Sequence, residues 1–253
     1  MDKYILIYDS GMGGLSVFDE CLKSLPRYNF LYFSDSINAP YGNKTKRQIE
    51  NIAVQNIKKI MQSYDISIVV LACNTMTTAA VDCLRKTFDN ILFVGTEPCI
   101  KLVKDLGFEK ALIVSTVATS KNSKVIREYK SENDIVIGDK NLATLIEQER
   151  ETLYHLIPYI HKKYYKYKGI VDCVVLGCTH YVFVKDIFEK MLDIPVFDSG
   201  KYVAKRVGFL AQKQDLKANG EIIFCDSGDN RQNFRYFNKI ALYQRAKYVM
   251  ISM

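Results

Sequence analysis

Short apolar runs alternate with longer segments of helical spacing along most of the chain. Between the second and third runs, residues 45–64 place their apolar positions on one face of a helix. Strands that alternate with helices are typical of a parallel sheet covered by helices on both sides. The pattern therefore predicts an α/β fold. The predicted strands are Tyr4–Tyr8, Phe30–Ser34, Ile66–Ala72, Ile91–Val94, Ala111–Ser115, Ile135–Gly138, Cys173–Gly177, Ile194–Phe197 and Glu221–Cys225.

The second half of the chain repeats the first. VVLACNT at 69–75 returns as VVLGCTH at 174–180, which sets Cys73 against Cys178 with an offset of 105 (178 − 73). IYDSGMGG at 7–14 matches IVSTVATS at 113–120 with an offset of 106 (113 − 7), and FSD at 33–35 matches IGD at 137–139 with an offset of 104 (137 − 33). Such self-similarity predicts two similar α/β domains that are related by a pseudo-two-fold axis. We predict a first domain of 1–96 plus 208–253, which ends in a strand and a helix, and a second of 97–207.

Composition narrows the function classes. The 253 residues carry a formal charge of +7, but the densest basic cluster, 161–168, interleaves with tyrosines in a predicted helix and favours a solvated face over a nucleic-acid site. No apolar run approaches the roughly 20 residues of a membrane span, and no signal peptide is evident. Seven scattered cysteines suggest reduced thiols. We expect a cytoplasmic globular protein that binds neither membrane nor nucleic acid.

Polar side chains follow the predicted strands at their carboxyl ends, where parallel sheets bind ligands. If the two domains face each other, Cys73 and Cys178 arrive from opposite walls of one cleft. Each begins a turn into a helix, where amide groups and the helix dipole favour a thiolate. Two groups that can each give and accept a proton suit inversion of an α-carbon. These strand-end residues are Asp9, Ser10, Asp35, Cys73, Asn74, Thr75, Ser115, Thr116, Cys178, Thr179 and His180.

Blander interpretations compete with this one. A free cysteine is most often a small buried hydrophobe, an interpretation that we keep for the five other cysteines. A zinc site of Cys173, Cys178 and His180 lacks paired short spacings and a fourth nearby ligand, so we predict no metal. The glycines that follow Asp9 fit neither a dinucleotide-binding loop nor a P-loop. Asp35 is equally compatible with a helix cap and with an active-site residue.

Five strings in order along nearly the whole chain resemble the glutamate racemase family: DSGMGGLSVF (9–18), PYGNKT (40–45), ACNT (72–75), STVATSKN (115–122) and GCTHY (177–181). The resemblance implies cofactor-free interconversion of L- and D-glutamate, which supplies D-glutamate for bacterial peptidoglycan. It implies that Cys73 takes the proton from D-glutamate with help from Asp9, and that Cys178 takes it from L-glutamate with help from His180.

The same resemblance implies a substrate site and a further acidic helper, Glu147, beside the second thiol. The implied substrate-binding residues are Asp9, Ser10, Tyr41, Gly42, Asn74, Thr75, Thr179 and His180. The chain departs from the family pattern at Gly138-Asp139-Lys140, where the family usually has small-Cys-Pro. It also departs at Asn38-Ala39 before Pro40 and at Val182-Phe183 after Tyr181.

Two alternative functions stay open on the sequence. One keeps the fold and the mechanism but acts on aspartate or a hydantoin, as broadly similar relatives do. The other is a binding protein without turnover that contacts DNA or gyrase, for which the charge of +7 is the motive. A homodimer is the expected oligomer.

Overall fold

The computed structural model describes residues 3–149, 152–216, 219–228, 233–235, 237–238 and 247–250. The described chain forms two compact units, one of 1–96 with 200–253 and one of 97–199. The strands are β1 Lys3–Asp9, β2 Phe30–Ser34, β3 Asp65–Leu71, β4 Leu92–Gly95, β5 Ala111–Thr116, β6 Ile135–Asp139, β7 Cys173–Gly177, β8 Val196–Phe197, β9 Ile222–Asp226 and β10 Lys247–Met250. The α-helices are α1 Leu15–Ser24, α2 Lys46–Ile60, α3 Asn74–Thr87, α4 Ile100–Asp105, α5 Val117–Asn122, α6 Lys124–Tyr129, α7 Leu142–Gln148, α8 Ile157–Tyr164, α9 Lys185–Leu192 and α10 Gly200–Lys213.

Each unit contains a parallel sheet. The first sheet has the order β10-β9-β2-β1-β3-β4 and the second has the order β6-β5-β7-β8. Side chains alternate across the second sheet: Leu112 and Val114 of β5 pack with α7, α8 and α9, whereas Ala111 and Ile113 pack with α4 and α6. The predicted α/β class, with mostly parallel sheets flanked by helices, is confirmed.

The internal repeat is visible in the strand register. Four strands of the first sheet run β2-β1-β3-β4, and the four of the second run in the equivalent order. Ile7 pairs with Val70 in the first sheet, and Ile113 pairs with Val175 in the second. Ile113 lies 106 residues after Ile7 (113 − 7), and Val175 lies 105 residues after Val70 (175 − 70). These are the offsets that the sequence motifs show, so equivalent letters occupy equivalent places in the two sheets.

Two details differ from the sequence-based prediction, and a third falls partly outside the described residues. Helix α10 belongs to the first unit, although 200–207 were assigned to the second domain; its Gly208 approaches Leu25 closely, which lets α10 pack against the end of α1. Strand β10 was not predicted, because four residues at a sheet edge carry little pattern. The predicted final helix falls partly outside the described residues, of which 233–235 and 237–238 are helical.

Candidate active site

The first thiol lies where β3 passes into α3. Cys73 is the residue before α3, is 8% exposed, and accepts a hydrogen bond to its Sγ from the hydroxyl of Ser10 at 3.6 Å. Its carbonyl oxygen accepts from the amide of Thr77 in the first turn of the helix. A thiol at the start of a helix that also receives a hydroxyl hydrogen bond is stabilised as a thiolate.

Asp9 ends the neighbouring strand β1 and is fully buried. Its Oδ2 accepts a hydrogen bond from the amide of Gly11 at 2.9 Å, which folds the chain back toward α1. The backbone of the turn comes so close to the carboxylate that a Cβ on Gly14 would stand 2.7 Å from the Cβ of Asp9 and 2.8 Å from the Cβ of Ala72. The glycine therefore permits the close packing that fixes Asp9 beside the end of β3.

Replacing Gly14 by alanine is expected to destabilise the fold by about 1–3 kcal/mol, because neither opposing Cβ can move without its strand. Urea unfolding measures the change. Gly42→Ala is the matched control, since nothing lies within 4 Å of a Cβ built there. Equal unfolding midpoints for the two variants would contradict the packing argument.

Tyr41 and Asp35 form a buried cluster at the end of β2. The Tyr41 hydroxyl donates to Asp35 Oδ2 at 2.5 Å and lies 2.8 Å from the hydroxyl of Tyr8. Asn56 of α2 donates to both Tyr8 and Asp35. Burial raises the pKa of both tyrosines, so they remain neutral donors. This network holds the short 3-10 turn Tyr41–Asn43, and with it the exposed Gly42, in place.

Asp35 therefore has a role that the sequence did not resolve. Although it precedes the 3-10 turn Ser36–Asn38, its side chain does not cap that turn. Instead its two carboxylate oxygens accept hydrogen bonds from side chains of four residues, namely Asn38, Tyr41, Asn56 and Ser227.

Two further predicted residues open α3. Asn74 and Thr75 are buried, and the Asn74 amide donates to the carbonyl oxygen of Thr96 at 3.0 Å. That contact joins the start of α3 to the end of β4. The predicted residues of the first unit therefore gather at the carboxyl ends of β1, β2 and β3.

The second thiol lies at the end of β7. Cys178 is 7% exposed and precedes a 3-10 helix, Thr179–Val184, rather than an α-helix. A 3-10 helix has poorer hydrogen-bond geometry than an α-helix, so we expect its dipole to stabilise a thiolate at Cys178 less than the dipole of α3 does at Cys73. Thr179, the next residue in the sequence, is also buried.

His180 can place a positive charge near Cys178, where the dipole of the short 3-10 helix is weak. Its Nε2 lies 2.5 Å from Oε2 of Glu147, which is on α7, and it is also hydrogen-bonded to Cys178. Burial by itself would lower the pKa of His180, but the hydrogen bonds to Cys178 and Glu147 outweigh it and hold that pKa well above 6.5. The contacts of the imidazole with the second thiol and with a carboxylate therefore both favour its protonated form.

The structure thus assembles Cys178, His180 and Glu147 into one hydrogen-bonded set, although Glu147 is 31 residues (178 − 147) from the cysteine in sequence. Sequence reasoning missed the carboxylate Asp139, which replaces part of the family's small-Cys-Pro string. It is buried at the end of β6 and accepts hydrogen bonds from the start of α7. Its alignment with Asp35 in the repeat was the signal that could have found it.

Within the described ranges, no group of three or more His, Cys, Asp or Glu side chains could hold a metal ion. Among the described helices, none combines the length and the apolar character that a membrane span requires.

Comparison with known proteins agrees with this geometry. Residues 13–207 match the model of the Asp/Glu/Hydantoin racemase family. The chain is 36% identical over 211 residues to the glutamate racemase of Clostridium botulinum, covering 79% of this chain and 81% of that one. It is 31% identical over 248 residues to the glutamate racemase of Clostridium kluyveri, covering 95% and 96%.

A solved structure matches over the full length. The Escherichia coli glutamate racemase in complex with L-glutamate and the activator UDP-MurNAc-ala superposes with a TM-score of 0.86 at 26% identity, covering 100% of both chains. The fold and these matches place the chain among the isomerases. The chain belongs to the Asp/Glu/Hydantoin racemase family and is a racemase, which confirms the family that the five motifs predicted.

Proposed function

We propose that this racemase interconverts L- and D-glutamate, with Cys73 and Cys178 as its two acid/base groups and without a cofactor. The observation that carries the proposal is the repeat: in each unit a cysteine follows the third strand at an equivalent position, and each cysteine is buried. A racemase of the two-base type needs two such groups, since a proton leaves one face of the α-carbon and another reaches the opposite face.

The proton inventory is balanced. With L-glutamate, the Cys178 thiolate removes the α-proton, and the electron pair of the broken C–H bond delocalises into the adjacent carboxylate. The Cys73 thiol then donates its proton to the other face, which yields D-glutamate, a Cys178 thiol and a Cys73 thiolate. The reverse sequence converts D-glutamate. In this scheme the imidazolium of His180 stabilises the Cys178 thiolate, and Asp9 assists Cys73.

Glutamate is the proposed substrate because the relatives of this chain are named glutamate racemases and the Escherichia coli enzyme was crystallised with L-glutamate. A racemase of aspartate or a hydantoin is less favoured by these names. The proposed contacts are largely hydroxyl, amide and backbone donors at the strand ends, namely those of Ser10, Tyr41, Gly42, Asn74, Thr75 and Thr179, together with the side chains of Asp9 and His180.

Incubation of the purified protein in deuterated water tests the proposal. L-glutamate should yield D-glutamate that carries one deuterium at Cα, and D-glutamate should yield deuterated L-glutamate; chiral chromatography with mass spectrometry measures both. Aspartate under the same conditions should stay unchanged. Turnover of aspartate without glutamate would replace the substrate, and turnover of neither would overturn the proposed function.

In the cell, the proposed product would supply D-glutamate to peptidoglycan synthesis in the cytoplasm. Growth of a bacterium that requires D-glutamate, restored by expression of this chain, tests that role. The homodimer stays a prediction, which the molar mass from light scattering decides.

A further inference from the structure

One buried carboxylate outside the reacting groups makes an unusual number of contacts. Asp139 Oδ1 accepts from two backbone amides and one hydroxyl, while Oδ2 accepts from a second hydroxyl and pairs with an ammonium group. The amides belong to Asn141 (2.9 Å) and Leu142 (3.0 Å), the hydroxyls to Tyr159 (2.8 Å) and Tyr164, and the ammonium to Lys163 (2.8 Å).

These contacts tie two helices to the end of β6. The two amides open α7, and the three side chains all come from α8. The N-cap residue of α7 is Asn141, and its side chain makes no capping hydrogen bond. Asp139 therefore supplies the cap of α7, a contact that typically contributes to helix stability because it satisfies amides that have no partner within the helix.

Helix α7 carries Glu147 in its last turn, one residue before its end. A helix of two turns that is fixed at its first turn presents its last turn in a defined direction. The carboxylate of Glu147 is the group that holds the imidazole of His180. The contacts thus run from Asp139 through α7 to Glu147, then to His180 and the Cys178 thiol.

The first unit repeats this arrangement with different letters. Asp35 occupies the position equivalent to Asp139, 104 residues (139 − 35) earlier, at the end of the equivalent strand. It too is buried and accepts a tyrosine hydroxyl, and the segment that it holds bears Tyr41 and Gly42. In each half, a carboxylate after the second strand fixes the segment that carries a proposed site residue.

We propose that Asp139 is a positioning residue of the second proton transfer, which acts through α7 and Glu147 on His180. This inference rests on the proposed function only for its kinetic part. The alternative is a carboxylate that merely stabilises the fold.

The chain offers a matched control for that alternative. Asp134 lies just before the other end of the same strand, β6, and its side chain is also buried. It pairs with Lys104 at 2.6 Å and accepts from the amides of Ala111 and Ser131. Hydrogen bonds lower the pKa of both aspartates against the opposing effect of burial. Asp134→Asn therefore removes a comparable buried ion pair that has no link to α7.

The imidazole signal of His180 provides the decisive measurement, because the chain has three histidines and NMR resolves them easily. The groups that face His180 are Glu147 and Cys178. Glu147→Gln should move the titration midpoint of His180 toward 6.5, since a carboxylate partner is lost. Asp139→Asn should move it in the same direction by a smaller amount, and Asp134→Asn should leave it where it is. Thermal melts confirm that each variant is folded.

The variant Lys163→Met distinguishes a long-range electrostatic effect on His180 from positioning through α7. Removal of a positive charge would by itself raise the midpoint of His180, whereas Asp139 keeps its contacts with α7 in this variant. An unchanged midpoint in Lys163→Met with a lowered one in Asp139→Asn supports positioning. A raised midpoint in Lys163→Met, or equal midpoints in Asp139→Asn and Asp134→Asn, would overturn it.

The kinetic part has its own outcomes. Asp139→Asn should lower kcat with glutamate about tenfold, the range typical of residues that orient a reacting group, with KM little changed. Asp134→Asn should keep kcat. If the wild-type protein does not racemise glutamate, the proposed function fails and the NMR titration still decides the role of Asp139. If the wild type is active and the two variants lose activity equally, the positioning role fails alone.

Discussion

Serine in place of either Cys73 or Cys178 should lower the racemisation of glutamate by a thousandfold or more, on the order of the loss seen when a reacting nucleophile or base is removed. A hydroxyl is a much weaker acid than a thiol, so it cannot exist as the base in one direction or give up its proton readily in the other. Chiral chromatography of the products measures the loss, starting from each enantiomer in turn.

Each cysteine has a control close to it in the chain. Cys83 lies on α3, the helix that Cys73 precedes, and Cys173 begins β7, the strand that Cys178 follows. Burial raises the pKa of Cys173 to about 12, so this thiol stays protonated and cannot act as the base. Cys83→Ser and Cys173→Ser should keep kcat once their folded state is verified. Retained racemisation in Cys73→Ser or Cys178→Ser would remove that thiol from the mechanism.

Thermodynamics supplies an internal check on these assays. The enantiomers of glutamate have equal free energies in water, so the equilibrium constant is one and kcat/KM must be equal in the two directions for every variant. Loss of one thiol therefore lowers both directions together, even though that thiol accepts the proton in one direction and donates it in the other. The two thiols must then be distinguished by isotope effects with α-deuterated L- and D-glutamate.

The fold was readable from the sequence where a pattern was local. Strands such as Phe30–Ser34 and Cys173–Gly177 have the predicted bounds because buried parallel strands are continuous apolar runs between turn residues. The repeat also indicated that the strands pair in the same way within each sheet, since residues at equal sequence offsets occupy equivalent positions in the register. Strand β10 had no such signal, because Lys247–Met250 is a short edge strand.

Contacts made by distant segments could not be predicted in the same way. Asp139 is held by Tyr159 and Tyr164, 20 and 25 residues later, and no spacing rule links a strand end to those hydroxyls. The domain assignment of α10 failed for a related reason. An amphipathic pattern shows which face of a helix is buried but not which sheet it covers, and α10 packs on α1 of the first unit.

The proposed acid/base partner of Cys178 shows both limits together. Two residues after the cysteine, His180 was identifiable from the motif GCTHY, whereas its protonation state depends on a carboxylate from another helix. Glu147 was named only through the resemblance. The structure adds a physical basis for its proposed role, which is the hydrogen bond to Glu147 that helps to raise the pKa of His180.

Asparagine in place of His180 should lower kcat about a hundredfold, the lower range for loss of a group that assists proton transfer. In the proposed mechanism the imidazolium stabilises the thiolate of Cys178, which a neutral amide cannot do. Glu147→Gln should act on the pH profile: because the variant holds the pKa of His180 less far above 6.5, the alkaline limb of kcat should move to lower pH. An unchanged profile in Glu147→Gln would separate Glu147 from the reaction.

The same pKa predicts how stability depends on pH. The pKa of His180 is raised in the folded protein above its unfolded value near 6.5, so the stabilisation from its contacts is complete below about pH 6.5 and is lost as the pH rises through the folded pKa. Urea unfolding should therefore show the largest difference between the wild type and His180→Asn near pH 6.5 and a smaller one near pH 9. His155→Asn is the control, because His155 is 72% exposed and lies 3.7 Å from Glu149 in a solvated pair. A difference for His180→Asn that stays constant from pH 6.5 to 9 would mean that the imidazole packs in this site without carrying the charge on which its proposed role depends.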